Sequence, residues 1–312
     1  MIIGLLDLDS KIPNLALMKI SHFHKALGND VRWYDPLWAD TYDTIYASTI
    51  FEYSDKSELD AEKMLIGGTG WDYKTMLDPE IDKSPPDYSL YNYPHNIGFT
   101  MRGCRFRCKF CVVPQKEGKP YEENTIDEIW QQRDSDFVVL LDNDFFGNPS
   151  WQNRIDEVLK FNLKVCFSQG LNIRIITEEQ AQALASVQFR NLSGKAKQVY
   201  FAWDQFGKGT EKLIDAGLKR CWDAGIKAYQ MAFFVLVGFN TTPEEDMYRV
   251  QKLASFGCDP YVMPYDKEDS YQKKFARWVN HKALFKSTAW EDYQRSRSKK
   301  ETDVDQIEFV YG

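Results

Sequence analysis

At 312 residues, 43% hydrophobic and 27% charged, the chain has apolar side chains enough for a large core and a length that suggests about two domains. The most apolar stretch, "MAFFVLVGF" (231 to 239), is strand length, so no helical membrane span is expected, and "MIIGLLDLDSKIPN" has neither the basic start nor the cleavage site of a signal peptide, which points to the cytoplasm. A net charge of -7 argues against a basic coat for nucleic acid, although residues 271–300 carry nine Lys or Arg against two acids and leave a local phosphate contact or a plain solvated face open.

In chain order, "MIIGLLDL" reads as a buried strand, followed by Ala16, Ile20, Phe23 and Leu27 at helical spacing and by Gly28 as a C-terminal cap. Strand-like pieces follow at "VRWY" (31–34), "TIYAST" (44–49) and "KMLIGGTG" (63–70), which predicts a small Rossmann-like α/β domain over 1–92. "GGTGWD" reads as a glycine turn, because it lacks the lysine and the following helix of a phosphate loop. Residues 78–96, rich in Pro, Asp, Asn and Tyr, have no periodicity and mark a connector.

A βα alternation then fills 93–270. Its six strands are "NIGFT", "DFVVLL", "LKVCFS", "KQVYFAW", "AYQMAFFVLVG" and "DPYVMPY", with helices expected near 125–133, from about 150, from Thr177, over 209–224 and from Pro243. Six apolar strands separated by helices imply a parallel sheet, here read as a partial (β/α)6 barrel whose chemistry sits at the C-terminal strand ends. Residues 271–312 are expected to form a basic helical extension and tail, with Tyr271, Phe275, Trp278 and Phe285 on one stripe docking on the barrel.

Three of the six cysteines, Cys104, Cys108 and Cys111, lie in "TMRGCRFRCKFCVVPQKEG" directly after the first barrel strand. In a reducing compartment clustered thiols point to metal or catalysis before disulfides. A closed structural zinc needs a fourth ligand, for which His95 is the nearest histidine. Three thiolates on a [4Fe-4S] cluster would instead leave one iron open to a ligand from outside the chain, and Arg102, Arg105, Arg107 and Lys109 would offset the cluster's charge. The remaining cysteines show no close pairs, and Cys166 reads as a packing residue.

The spacing Cys-x3-Cys-x2-Cys, with Phe110 before the last cysteine, resembles the signature of the radical S-adenosylmethionine (radical SAM) superfamily. Its setting is similar to the branch with an N-terminal cobalamin-binding-type domain. The resemblance implies that Cys104, Cys108 and Cys111 carry a [4Fe-4S] cluster whose open iron binds SAM and whose electron splits it to a 5'-deoxyadenosyl radical. It implies a SAM pocket formed by Phe110 and Val112 beside the adenine, by Asp142, Asn143 and Asp144 near the amino group and ribose, and by Ser168, Gln169, Asn172 and Arg174 near the ribose and carboxylate. Asp204 would face SAM or substrate, and Gly238 would allow close approach to the adenosine. No cobalamin is expected, since "LLDLDSKIPN" lacks the histidine and glycine of the base-off motif.

The expected function is hydrogen abstraction from an unidentified substrate, served by a one-electron donor of the flavodoxin or ferredoxin type. The alternatives are a zinc- or cluster-containing nucleic-acid-associated protein and a redox sensor.

Overall fold

The structure, a computed structural model, describes residues 1–298, so the end of the expected basic tail lies outside the described residues. The chain divides into two compact units, the first running from Met1 to Pro94 and the second beginning at His95. It is mixed α/β with parallel sheets, and among the described residues no helix is long and apolar enough to cross a membrane.

In the first unit β1 (Ile2–Asp7), β2 (Asp30–Trp33), β3 (Thr44–Ser48) and β4 (Met64–Gly67) form one parallel sheet in the order β2-β1-β3-β4. The helix Leu15–Ala26 starts at Asn14, whose side chain accepts the Ala16 and Leu17 N–H groups, and Gly28 ends it at φ +77°. Alternation along the strands serves two faces. Ile3 and Leu5 pack with Leu17, Ile20 and Ile81 on one, while Ile45, Ala47, Met64 and Ile66 pack on the other. Gly68, at φ +100°, turns the chain where any Cβ would collide with the Thr49 carbonyl.

In the second unit the strands are β5 (Asn96–Gly98), β6 (Met101–Arg102), β7 (Tyr121–Glu122), β8 (Phe137–Leu140), β9 (Lys164–Phe167), β10 (Gln188–Phe189), β11 (Val199–Ala202), β12 (Met231–Val237) and β13 (Asp259–Pro264). Parallel pairing joins β5-β8-β9-β10 and β11-β12-β13. A bridge at Leu171 links the two sets. Leu171 N–H donates to Tyr200 O (2.8 Å) and Ala202 N–H to Leu171 O (3.2 Å), so the six long-range strands neighbour one another in chain order.

Both faces of β8, β9, β11 and β12 are almost wholly buried, which is why they read as apolar runs and not as alternating ones. Val138, Leu140, Val165, Phe167, Phe201, Trp203, Phe233 and Val235 pack with helix residues such as Ile155, Leu184, Leu218 and Leu253. On the opposite face Tyr200 stacks on Phe234 (5.2 Å between centroids), which meets Tyr261 edge-on (6.0 Å). The helices Trp151–Lys160, Glu178–Ser186, Thr210–Asp223 and Pro243–Ser255 start at or beside the expected caps.

Three local features depart from expectation. The helix near 125–133 is a single turn, Ile126–Ile129, because the following residues turn to bond elsewhere: Gln132 N–H donates to Asn96 Oδ1 (2.7 Å) and Trp130 Nε1–H to Ser135 O (2.7 Å). The antiparallel pair β6/β7 was not expected and closes the cysteine loop at its root. The basic extension is three helices, Ser270–Asn280, Lys282–Ser287 and Trp290–Ser298. Phe275 and Trp278 are buried in the main core with Tyr271 and Phe285 packed against it. The first of these helices ends at Asn280, whose side-chain amide serves both the N–H (2.7 Å) and the carbonyl (3.0 Å) of Val262 on the edge strand β13.

Candidate functional site: a three-thiol cavity at the strand ends

The cysteine loop leaves the C-terminal end of β5 and rises between β6 and the short helix Val113–Lys116. Cys104, Cys108 and Cys111 are free, each partly exposed, and all three line one cavity of about 640 Å³ together with Arg107, Lys109 and Lys119. Their charges act on one another. Burial pushes the Cys104 thiol up to about 11, with Asp144 and the other two sulfurs adding, and it raises Cys108 and Cys111 as well. Without a metal the thiols are protonated at neutral pH, so a metal must displace protons to bind.

Donors for thiolate sulfur are already in place. Phe106 N–H points to Cys104 Sγ (3.4 Å) and Val113 N–H stabilises the Cys111 thiolate.

The residues after β8 act on this loop. Asp142 is buried, and its carboxylate accepts Thr100 N–H (2.7 Å), Met101 N–H (2.7 Å) and Thr100 Oγ–H (2.8 Å). Burial pushes its pKa up to about 7 against those three bonds. Asn143 Nδ2 donates to Glu117 (3.0 Å). Asp144 takes a fork from Arg105, Nε at 2.6 Å and Nη2 at 2.9 Å. Expected to face SAM, "DND" is instead spent on the loop: each of the three residues fastens a different part of it. The reason is distance along the sheet, since β5 and β8 are neighbours and the loop's root passes directly over the end of β8.

Other expected ligand groups are also consumed by the fold. Ser168 is buried and donates to Leu140 O (2.8 Å), while exposed Gln169 donates to Ser168 Oγ (3.3 Å). The Val112 carbonyl accepts Gln115 and Lys116 N–H (both 3.0 Å) and the Val113 carbonyl accepts Glu117 N–H (2.8 Å), so both carbonyls close a helical turn. Gly238, at φ +80°, makes room for the Gln272 side-chain amide, which a Cβ would strike.

Arg174 and Asp204 do converge on the thiols. Asp204, half-buried after β11, and Arg174, after β9, both shift the Cys108 thiol, Asp204 upward and Arg174 downward; Asp204 also raises Cys111. Burial pushes Asp204 up to about 6, opposed by Arg249, Leu236 N–H and Arg174. Asn172 Oδ1 accepts Arg174 N–H (3.2 Å) and Nε–H (3.3 Å), and Gln205 Oε1 accepts Nη1–H (3.1 Å), which aims the guanidinium and leaves Nη2 unspent. Phe110 meets Phe239 edge-on (5.4 Å), and Phe239 meets Tyr265 (4.9 Å), an aromatic row from the loop to the ends of β12 and β13.

Sequence reasoning missed Glu117, Phe239, Tyr265 and Arg249. Buried Arg249 pairs with Asp246 (2.6 Å) and donates to Trp203 O and Leu236 O (both 2.7 Å), pinning the ends of β11 and β12 beside Asp204. The only signal was a cation on the buried stripe of its helix with an acid three residues before it.

Among the described residues no three His, Cys, Asp or Glu side chains form a group arranged to hold a single metal ion. His95 precedes β5, at the other end of that strand from the cysteines, with its ring on Ser135 Oγ (3.3 Å) and Phe137 (5.0 Å). It is not placed as a fourth ligand to them. A cubane asks for something different from a single ion, because each thiolate takes a different iron. Three sulfurs around one cavity, donors on two of them and cations on its wall suit that group. No protein-family model matches this chain, and no curated protein matches it.

Proposed function

We propose that the chain is a radical SAM enzyme in which Cys104, Cys108 and Cys111 hold three irons of a [4Fe-4S] cluster on a partial (β/α) barrel. The observation that carries the reading is the meeting of three free thiols with Arg174 and Asp204 at the C-terminal ends of six parallel strands. When bound, the reduced cluster would supply the electron that splits SAM to a 5'-deoxyadenosyl radical, which abstracts hydrogen from the substrate.

The chain's own residues bind, orient and shield. Arg174, aimed by Asn172 and Gln205, grips the SAM carboxylate with its unspent nitrogen. Asp204, whose charge reaches Cys108, would accept from the SAM amino group. Phe110 and Phe239, each half-buried, would shield one side of the reacting carbon from water. The electron comes from a flavodoxin- or ferredoxin-type donor.

Oxygen-free reconstitution, iron and sulfide counting, and assay for 5'-deoxyadenosine after adding SAM and reductant test this. Four irons and SAM cleavage, both lost in Cys108→Ala, are expected; stoichiometric zinc without cleavage overturns the reading.

A further inference from the structure

We propose that Glu117 and Asp144 are positioning residues that fix Cys104 before any cluster is bound, leaving Cys108 and Cys111 on the adaptable half of the loop. This rests on the radical SAM reading only for the identity of the cluster; the clamp belongs to the metal-free chain.

The two carboxylates grip the backbone on either side of Cys104. Before it, Glu117 accepts Gly103 N–H (2.8 Å) and pairs with Arg102 (2.9 Å). After it, Asp144 accepts Arg105 N–H (3.4 Å) as well as the guanidinium fork. Cys104 N–H itself donates to Gly118 O (3.4 Å), so three consecutive amides, 103 to 105, all have acceptors. The clamp is set firmly. The Glu117 and Asp144 side chains are 9% and 5% exposed, and Asn143 holds Glu117 from the end of β8.

Two glycines make it possible. Gly103 sits at φ +76° where a Cβ would strike the Lys119 carbonyl, and a Cβ on Gly147 would strike the Asp144 carboxylate and crowd Arg105.

The other half of the loop has no such grip. Cys111 N–H bonds back to Cys108 O (3.1 Å), Val113 N–H reaches the Cys111 sulfur, Arg107 and Lys109 form no ion pair among the described residues, and Phe110 meets Phe239 edge-on. A ligand fixed at one point while its two partners adjust gives metal assembly a defined starting position.

Hydrogen exchange on the metal-free full chain is the test. Amides 103 to 105 of the wild type are expected to exchange about tenfold or more slowly than 107 to 110. Glu117→Ala is expected to speed exchange at 103 and 104 by a similar factor, and Asp144→Ala at 105; Glu117→Gln and Asp144→Asn, which each keep an acceptor oxygen, recover most of the protection. Circular dichroism establishes that each variant is folded, and if Glu117→Ala does not fold, Asp144→Ala carries the comparison at amide 105.

Growth of the iron–sulfur absorbance on reconstitution supplies a second readout, expected to be several-fold slower in the Glu117→Ala/Asp144→Ala double variant. Equal exchange in the two halves of the wild-type loop, or double-variant exchange and assembly at wild-type rates, overturns the proposal. A wild-type chain that takes up no iron overturns the function proposed above, and the exchange rates then decide the clamp on their own.

Discussion

The ends of β8 and β11 both place carboxylates directly after a buried strand, and they use them in opposite ways. After β8, both oxygens of Asp142 and both of Asp144 are taken by donors of the cysteine loop. After β11, Asp204 receives Leu236 N–H and is otherwise surrounded by charges that it acts on at a distance, namely Arg249, Arg174 and the Cys108 and Cys111 thiols. A carboxylate filled by donors from one loop of its own chain is scaffold. Asp204 instead keeps its charge close enough to two thiols and a guanidinium to shift them. The difference lies in which segment folds over the strand end, since the residue type and its place after the strand are the same.

The largest way to break this comparison is Asp142→Ala. It strands two backbone N–H groups and a hydroxyl in a buried site, an expected loss of about 3 kcal/mol or more of stability, read by denaturant unfolding. Asp204→Ala strands one N–H and is expected to cost far less, so equal losses at the two sites would erase the contrast.

A smaller effect sharpens the other side. Arg174→Leu is expected to weaken SAM binding to the cluster-loaded protein about 10- to 100-fold while changing stability by less than about 1 kcal/mol. Equilibrium dialysis reads the affinity, and Asp142→Asn, which keeps the oxygen that accepts Thr100 and Met101 N–H, should leave it unchanged.

A further effect is in pH. Burial raises Asp142 from 3.8 to about 7, so the folded state holds a proton that the unfolded chain releases. The stability this contributes is complete below about 4 and is lost as pH rises through about 7, with a slope approaching about 1.4 kcal/mol per pH unit. Asp204, raised to about 6, adds in the same direction over the lower part of that window. Asp142→Asn should flatten the profile; a wild-type stability that rises between pH 4 and 7 would contradict the assigned shift.

Much of the fold was legible because both faces of β8, β9, β11 and β12 are almost wholly buried, which leaves unbroken apolar runs such as 231–237 between well-capped helices. The strands β6, β7 and β10, two residues each, were not legible, since pieces that short carry no period. The single helix expected over the basic segment broke into three because Asn280 is needed at the edge of β13, a demand made by a partner eighteen residues away.

At the site, the close spacing of the cysteines was legible, and Arg174 and Asp204, picked out by their place after successive strands, both act on the Cys108 thiol. Glu117 was invisible. In "QKEGKP" it looks like a solvated acid, and only the return of the loop over Gly103 gives it three donors.

By itself, the amino-acid sequence determined the parallel α/β class, the positions of the long strands and the close spacing of three thiols, because periodicity, capping and spacing are local properties of a chain. Tertiary structure alone decided which polar residues after those strands are filled and which act on the thiols. Many of the hydrogen-bond partners there lie 14 to 46 residues apart, and a carboxylate's role depends on which donors reach it.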